Sequence, residues 1–173
     1  MRKPRTTATI REEATELLEK HGVSKPPVPV EQIAESLGAR VRFSPHEGEL
    51  AGMLMRGNGQ TVIGVNSLHH VNRQRFTIAH EIGHLLLHKG EVHIDRSFRV
   101  HRRDAVSSMA IDPEEIEANR FAAELLMPFD MIANDLAELI DVEDEDEIKR
   151  LADKYQVSVQ AMTHRVTNLL HLY

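Results

Sequence analysis

Cysteine is absent from this chain, so disulfides and every thiolate metal site are excluded, and any bound metal must be held by histidine and carboxylate. That absence fits a reducing cytoplasm, the location expected here. No uninterrupted apolar run approaches the length of a bilayer span, the nearest being Leu85-Leu86-Leu87 and its neighbours. An apolar signal core is missing too, because the basic start Met1-Arg2-Lys3-Pro4-Arg5 runs straight into the charged amphipathic stretch from Ile10 to Leu18. Positive charge is in short supply, with 21 Lys and Arg against 27 Asp and Glu and a net charge of −6. The molecule as a whole therefore carries no electrostatic footprint for nucleic acid. These absences lead to the expectation of a soluble protein with no membrane partner and no direct nucleic-acid binding.

What is present is enough apolar sequence, in 173 residues, for one compact domain with a small helical appendage. The expected division is a main domain over 1–140 and a C-terminal helical pair over 141–173. Apolar residues at helical spacing from Thr7 to His21, stopped by Gly22, predict an opening amphipathic helix, and a shorter helix is expected from Val30 to Leu37. Alternation then predicts strands over Ala39–Ser44, Ala51–Arg56 and Gln60–Val65, the last two joined through Asn58-Gly59, which suits a tight hairpin turn. The expectation is an α+β fold: a small antiparallel sheet packed on a mostly helical domain. A third helix runs from Asn72 to near Lys89-Gly90. Glu91 to Ile111 reads as a locally basic loop carrying His93 and His101. Asp112-Pro113-Glu114-Glu115 is a strong helix start, with Asp as N-cap and Pro in the first turn, and that helix should break at Pro128. Further helices are expected over Phe129–Ile140, from the acidic run at Glu143 through Tyr155, and over Val159–Leu172.

The third helix carries His80-Glu81-Ile82-Gly83-His84. Residues four apart lie on one helix face, so the two imidazoles can converge on one ion, with nitrogens about 2.0–2.1 Å from it. Glu81 falls beside such an ion rather than on it, where its carboxylate can take a proton from water; it is the candidate general base. Three fixed residues recur by chance in a chain this rich in His and Glu, so the surroundings matter. Gly83 costs about 1 kcal/mol against Ala in mid-helix, which makes sense if another backbone must approach there.

A catalytic ion needs a third protein ligand with a further position left open. Glu117 is the expected choice, because Phe121 one turn away buries its face, whereas Glu114 and Glu115 are already accounted for as first-turn acids facing the helix dipole. His88 lies about 12 Å along the helix from His80 and is expected to be a cation at the helix C-terminus, ahead of the alternative of a wall of the substrate cleft. His93 and His101 are expected to be solvated or to overhang the cleft. For an oxyanion donor, Tyr155, His164 and Arg165 are no better placed than His101.

Two longer stretches, Phe76-Thr77-Ile78-Ala79-His80-Glu81-Ile82-Gly83-His84-Leu85-Leu86-Leu87-His88 and Glu117-Ala118-Asn119-Arg120-Phe121-Ala122-Ala123-Glu124-Leu125-Leu126-Met127-Pro128, occur in that order. With them the chain resembles the ImmA/IrrE family of metallopeptidases, and the likeness reaches upstream through Pro27 to Ala34 and Gly64-Val65-Asn66. The resemblance implies a zincin-like fold, a Zn2+ ion, His80, His84 and Glu117 as ligands, and Glu81 as the catalytic acid/base; the same ligand set would accept Mn2+ or Fe2+. It also implies a partner: family members characteristically cut or disable a helix-turn-helix repressor, which here would be the substrate.

Two other readings compete. The segment from Leu151 to Val166 has the look of a helix-turn-helix, which would suit a DNA-binding regulator, although its second helix offers one arginine and follows an acidic run. A scaffold that holds a metal and sequesters a repressor without cutting it is the other. If the strand Gln60–Val65 is an edge, it could accept an extended substrate by strand addition.

Overall fold

Hydrophobic periodicity sets the helices almost where the sequence puts them. The computed structural model describes residues 4–95, 112–137 and 144–170. Its elements in chain order are α1 (Thr7–Lys20), α2 (Val30–Ser36), β1 (Ala39–Ser44), β2 (Gly52–Gly57), β3 (Gln60–Asn66), α3 (Val71–Leu87), β4 (Val92–Asp95), α4 (Pro113–Leu126), α5 (Phe129–Ala137), α6 (Glu145–Tyr155) and α7 (Val159–Leu170). The expected helix end at Ile140, the final turn to Leu172, and His101 with Arg96, Arg99, Arg102 and Arg103 lie outside the described residues.

Local chemistry explains the element boundaries. Asp112 caps α4 by accepting from the backbone N–H of Glu114, with Pro113 in the first turn, and Asp144 caps α6 by accepting from Asp146. Asn58 and Gly59, both at positive φ, turn β2 into β3.

The sheet corrects the expectation in three respects. It has four strands in the order β1-β3-β2-β4, the fourth coming from the start of the stretch read as loop. It is mixed: β2 pairs antiparallel with β3 and β4, but β1 runs parallel to β3, with Val41 opposite Ile63. Alternation tells which face of a strand is buried but not which way the strand runs. β3 is also central, its backbone engaged on both sides, so it is no edge for an added strand. Among the described strands β1 and β4 hold the outer positions.

Leu54, Ile63 and Val65 from the sheet join Ile78, Ala79 and Ile82 of α3 and Phe121, Ala122, Leu125 and Leu126 of α4 in one core. Helix α1 packs on α4, and α4 on α3. The pair α6–α7 is fastened by a buried ion pair: Arg165 of α7 donates to both carboxylate oxygens of Glu124 on α4 at 2.9 and 2.6 Å, and to the carbonyl of Met127 at 3.0 Å. No helix among the described residues is long and apolar enough to cross a membrane.

Candidate metal centre

Helix α3 is buried almost continuously from Thr77 to His84, and both motif histidines and Glu81 lie on that covered stretch. What brings α4 close enough to face them is Gly83. A Cβ at that position would stand 3.1 Å from the Cα and 3.2 Å from the carbonyl oxygen of Ala118, so the backbones meet where the side chain is missing. The approach of a second backbone expected at this glycine is that of α4.

The Nε2 atoms of His80 and His84 lie 3.1 Å apart. Two nitrogens bound to one tetrahedral ion at about 2.0–2.1 Å are separated by about 3.3 Å, so the observed spacing suits a shared cation. The carboxylate opposite them is that of Glu115, with its oxygens 3.4 Å from His80 Nε2 and 3.3 Å from His84 Nε2. Glu117 is elsewhere: its carboxylate accepts from the backbone N–H of Arg5 at 2.8 Å and lies 3.2 Å from His88 Nε2. Residues two apart on a helix differ by about 200° in direction, so Glu115 and Glu117 cannot serve the same face. The structure thus brings Glu115, and not the expected Glu117, to the paired imidazoles. A first-turn acid can face both the helix dipole and a neighbouring helix, and the dipole gave no ground for setting Glu115 aside.

His80 is oriented from behind. Its Nδ1 lies 3.0 Å from the side-chain oxygen of Asn119, an acceptor, so the imidazole donates there and keeps its Nε2 lone pair for the site. Burial pushes the pKa of His84 down to about 4, against the neighbouring Glu115 carboxylate that raises it, so this imidazole is neutral at pH 7 as a ligand must be.

His93 was expected in a solvated loop, yet it stands on β4 with its ring stacked on His84, 3.5 Å between centroids. Its Nδ1 is 3.2 Å from Glu81 and its Nε2 is 2.5 Å from Glu115. Both partners accept, so both nitrogens donate. Burial works to lower its pKa, but the hydrogen bonds to Glu115 and Glu81 prevail and raise it to about 10. Glu115 responds in kind: burial opposes its charge, and the close approach of the His80, His84 and His93 imidazoles outweighs it, holding the carboxyl well below the usual range. Burial raises the pKa of Glu81, with the hydrogen bond from His93 pulling the other way. Glu81 Oε1 has no hydrogen-bond partner among the described residues. Asp95, at the end of β4, sits beside Glu81 and His80 with its Oδ2 likewise unpartnered, and burial raises its pKa as well.

Ring nitrogens of His80, His84 and His93 and a carboxylate oxygen of Glu115 thus lie within 4.8 Å of one another. Two imidazole nitrogens, one of them backed by Asn119, a carboxylate held ionised and a base with a free oxygen fit a small divalent cation. His88 is not a solvent-facing cation at the helix end. It is buried, between His84 and Glu117. Nor do Tyr155 and Arg165 point to this site: Tyr155 donates to Asp135 at 2.8 Å, and Arg165 is spent on Glu124 and Met127.

The model of the Peptidase_M78 family, described as the IrrE N-terminal-like domain, matches residues 30–167. Among solved structures the chain is similar to a Mycobacterium tuberculosis transcriptional regulator, at 16% identity and a TM-score of 0.60, over 91% of this chain and 46% of that one. The chain thus spans a little under half the length of that regulator, and at such identity the likeness is one of fold. No curated protein matches the sequence.

Proposed function

We propose a function from one premise, that the chain belongs to the Peptidase_M78 family: it is a metallopeptidase of narrow specificity whose ion, zinc in the first instance, is held by His80, His84 and Glu115. The observation that carries this reading is the convergence of those three donors beside an unpartnered oxygen of Glu81. A zinc ion bound there would supply Lewis acidity, polarising a substrate carbonyl and lowering the pKa of a coordinated water towards about 7. Glu81 takes the proton from the attacking water on Oε1 and passes it to the leaving amine; burial, which lifts its pKa, suits a group that must both accept and return a proton. His93, donating on both sides, keeps Glu81 and Glu115 oriented.

The substrate in this reading is a helix-turn-helix repressor, as the family resemblance implies. DNA binding through α7 finds less support, because Arg165, the arginine such a helix would offer to phosphate, is 9% exposed and paired with Glu124. The test is incubation of helix-turn-helix repressors from the source genome with zinc and either wild type or Glu81→Gln. Cleavage by wild type alone supports a peptidase. Equal derepression by both proteins, with the repressor intact, would establish the non-cutting scaffold instead.

A further inference from the structure

His84 is backed differently from His80. Its Nδ1 faces Nδ1 of His88 at 3.0 Å, and Nε2 of His88 faces Glu117 Oε2 at 3.2 Å. Glu117 in turn is gripped by a residue far away in sequence, Arg5, whose backbone N–H donates to Oε1 at 2.8 Å and whose guanidinium donates to Oε2 at 3.2 Å. The same guanidinium donates to the carbonyl of Leu87, the last residue of α3, at 2.8 Å, and is steadied by Glu13 on α1 at 3.1 Å. His88 and Glu117 are almost fully buried, their side chains 4% and 6% exposed.

The proton directions along this chain are determined by chemistry. A carboxylate only accepts, so His88 donates from Nε2 to Glu117. With one proton on each ring, Nδ1 of His88 is then the acceptor, and Nδ1–H of His84 is the donor. That leaves the lone pair of His84 on Nε2, the atom that faces His80 and Glu115. The hydrogen bond made by one ring nitrogen sets the role of the other.

We infer that Arg5, Glu117 and His88 form a positioning relay for His84, which makes the N-terminal arm a working part of the metal centre. This rests on His84 being a ligand, as proposed above. It goes beyond the family match, since Arg5 and Glu13 precede the matched residues 30–167. The relay also accounts for two side chains that stand outside the converging donor set, His88 and Glu117. Losing such outer partners weakens metal binding by about 10- to 100-fold.

The test is a zinc titration of the full chain against a chromophoric chelator, comparing wild type with Arg5→Ala, Glu117→Gln and the double variant. Each single change is expected to weaken zinc binding by about 10- to 100-fold, and the double variant to bind no more weakly than Glu117→Gln, because Arg5 acts through Glu117. His88→Gln should shift the visible absorption of the cobalt-loaded protein, a signature that general loosening of the fold would not produce. Thermal unfolding of chelator-treated samples controls for folding; if Glu117→Gln fails to fold, Arg5→Ala at the partly exposed arm and the cobalt spectrum carry the test. Wild-type affinity in Arg5→Ala and Glu117→Gln with an unshifted cobalt spectrum, or losses that simply add, would overturn the relay alone. Failure of wild type to bind zinc, or unchanged binding by Glu115→Gln, would remove the proposed ligand set and the relay with it.

Discussion

Asn119 accepts a hydrogen bond from Nδ1 of His80 across 3.0 Å, one helical turn beyond Glu115 on the same face of α4. One helix thus supplies both the acid that faces the paired imidazoles and the amide that orients one of them. Glu115→Ala should abolish stoichiometric zinc, read by metal content after dialysis, whereas Glu117→Ala should still fill when zinc is in excess. Asn119→Ala should bind zinc about 10- to 100-fold more weakly. The opposite ranking of Glu115 and Glu117 would restore the assignment read from sequence.

Gly83→Ala places a methyl group against the Cα and carbonyl of Ala118. Overpacking of this kind costs about 1–3 kcal/mol, against about 1 kcal/mol gained from better helix propensity. A net loss of stability is expected, visible as a lowered denaturation midpoint. Weaker zinc binding should accompany it as α4 is pushed away from α3. A rise in stability would mean that the close approach is not tight.

Among the described residues, Arg165→Ala leaves Glu124 buried with only the partly exposed Arg11, 3.4 Å away, to answer its charge. The expected loss is about 3 kcal/mol, the lower end for a broken buried pair. Replacing both partners, Arg165→Met with Glu124→Leu, should recover most of it in chemical denaturation. Equal damage from the single and double changes would contradict this account.

Tyr155 sets an alkaline limit. Burial, then Asp135, raise its pKa above the ordinary value near 10, so the folded chain favours the protonated phenol. Its contribution is complete below about pH 10 and is lost as the pH rises beyond, where the unfolded chain ionises first. Denaturant midpoints should fall above that pH in wild type and fall less in Tyr155→Phe. Parallel profiles for the two proteins would rule out this residue as the cause.

Sequence and structure part company at identifiable places. The hairpin through Asn58-Gly59, the cap at Asp112 and the motif helix were legible because each is a local rule acting on adjacent residues. β4 was not, since four residues with an exposed apolar pair, Val92 and Ile94, show no pattern that separates a strand from a loop. The parallel course of β1 depends on a long-range pairing that alternation does not encode. In the site, His80, Glu81 and His84 were legible from their spacing and are brought together by the fold. Glu115 was hidden by having a second sufficient explanation, and His93 by its place at the start of an unpatterned stretch. His88 was read as the end of a straight helix, whereas the backbone turns extended there and the ring folds back onto His84 and Glu117.

The interior position of β3 also orders events in time. β2 and β3 are neighbours in the chain and can zip through their two-residue turn within about 1–10 μs, giving a seed that needs no distant partner. The donor set needs long loops to close first, with His80 and Asn119 separated by 39 positions along the chain and His93 and Glu115 by 22. A chain caught part-way through folding, or still emerging from the ribosome, would own a hairpin but no assembled centre. On the function proposed above, proteolysis would therefore wait until the chain's own folding was complete.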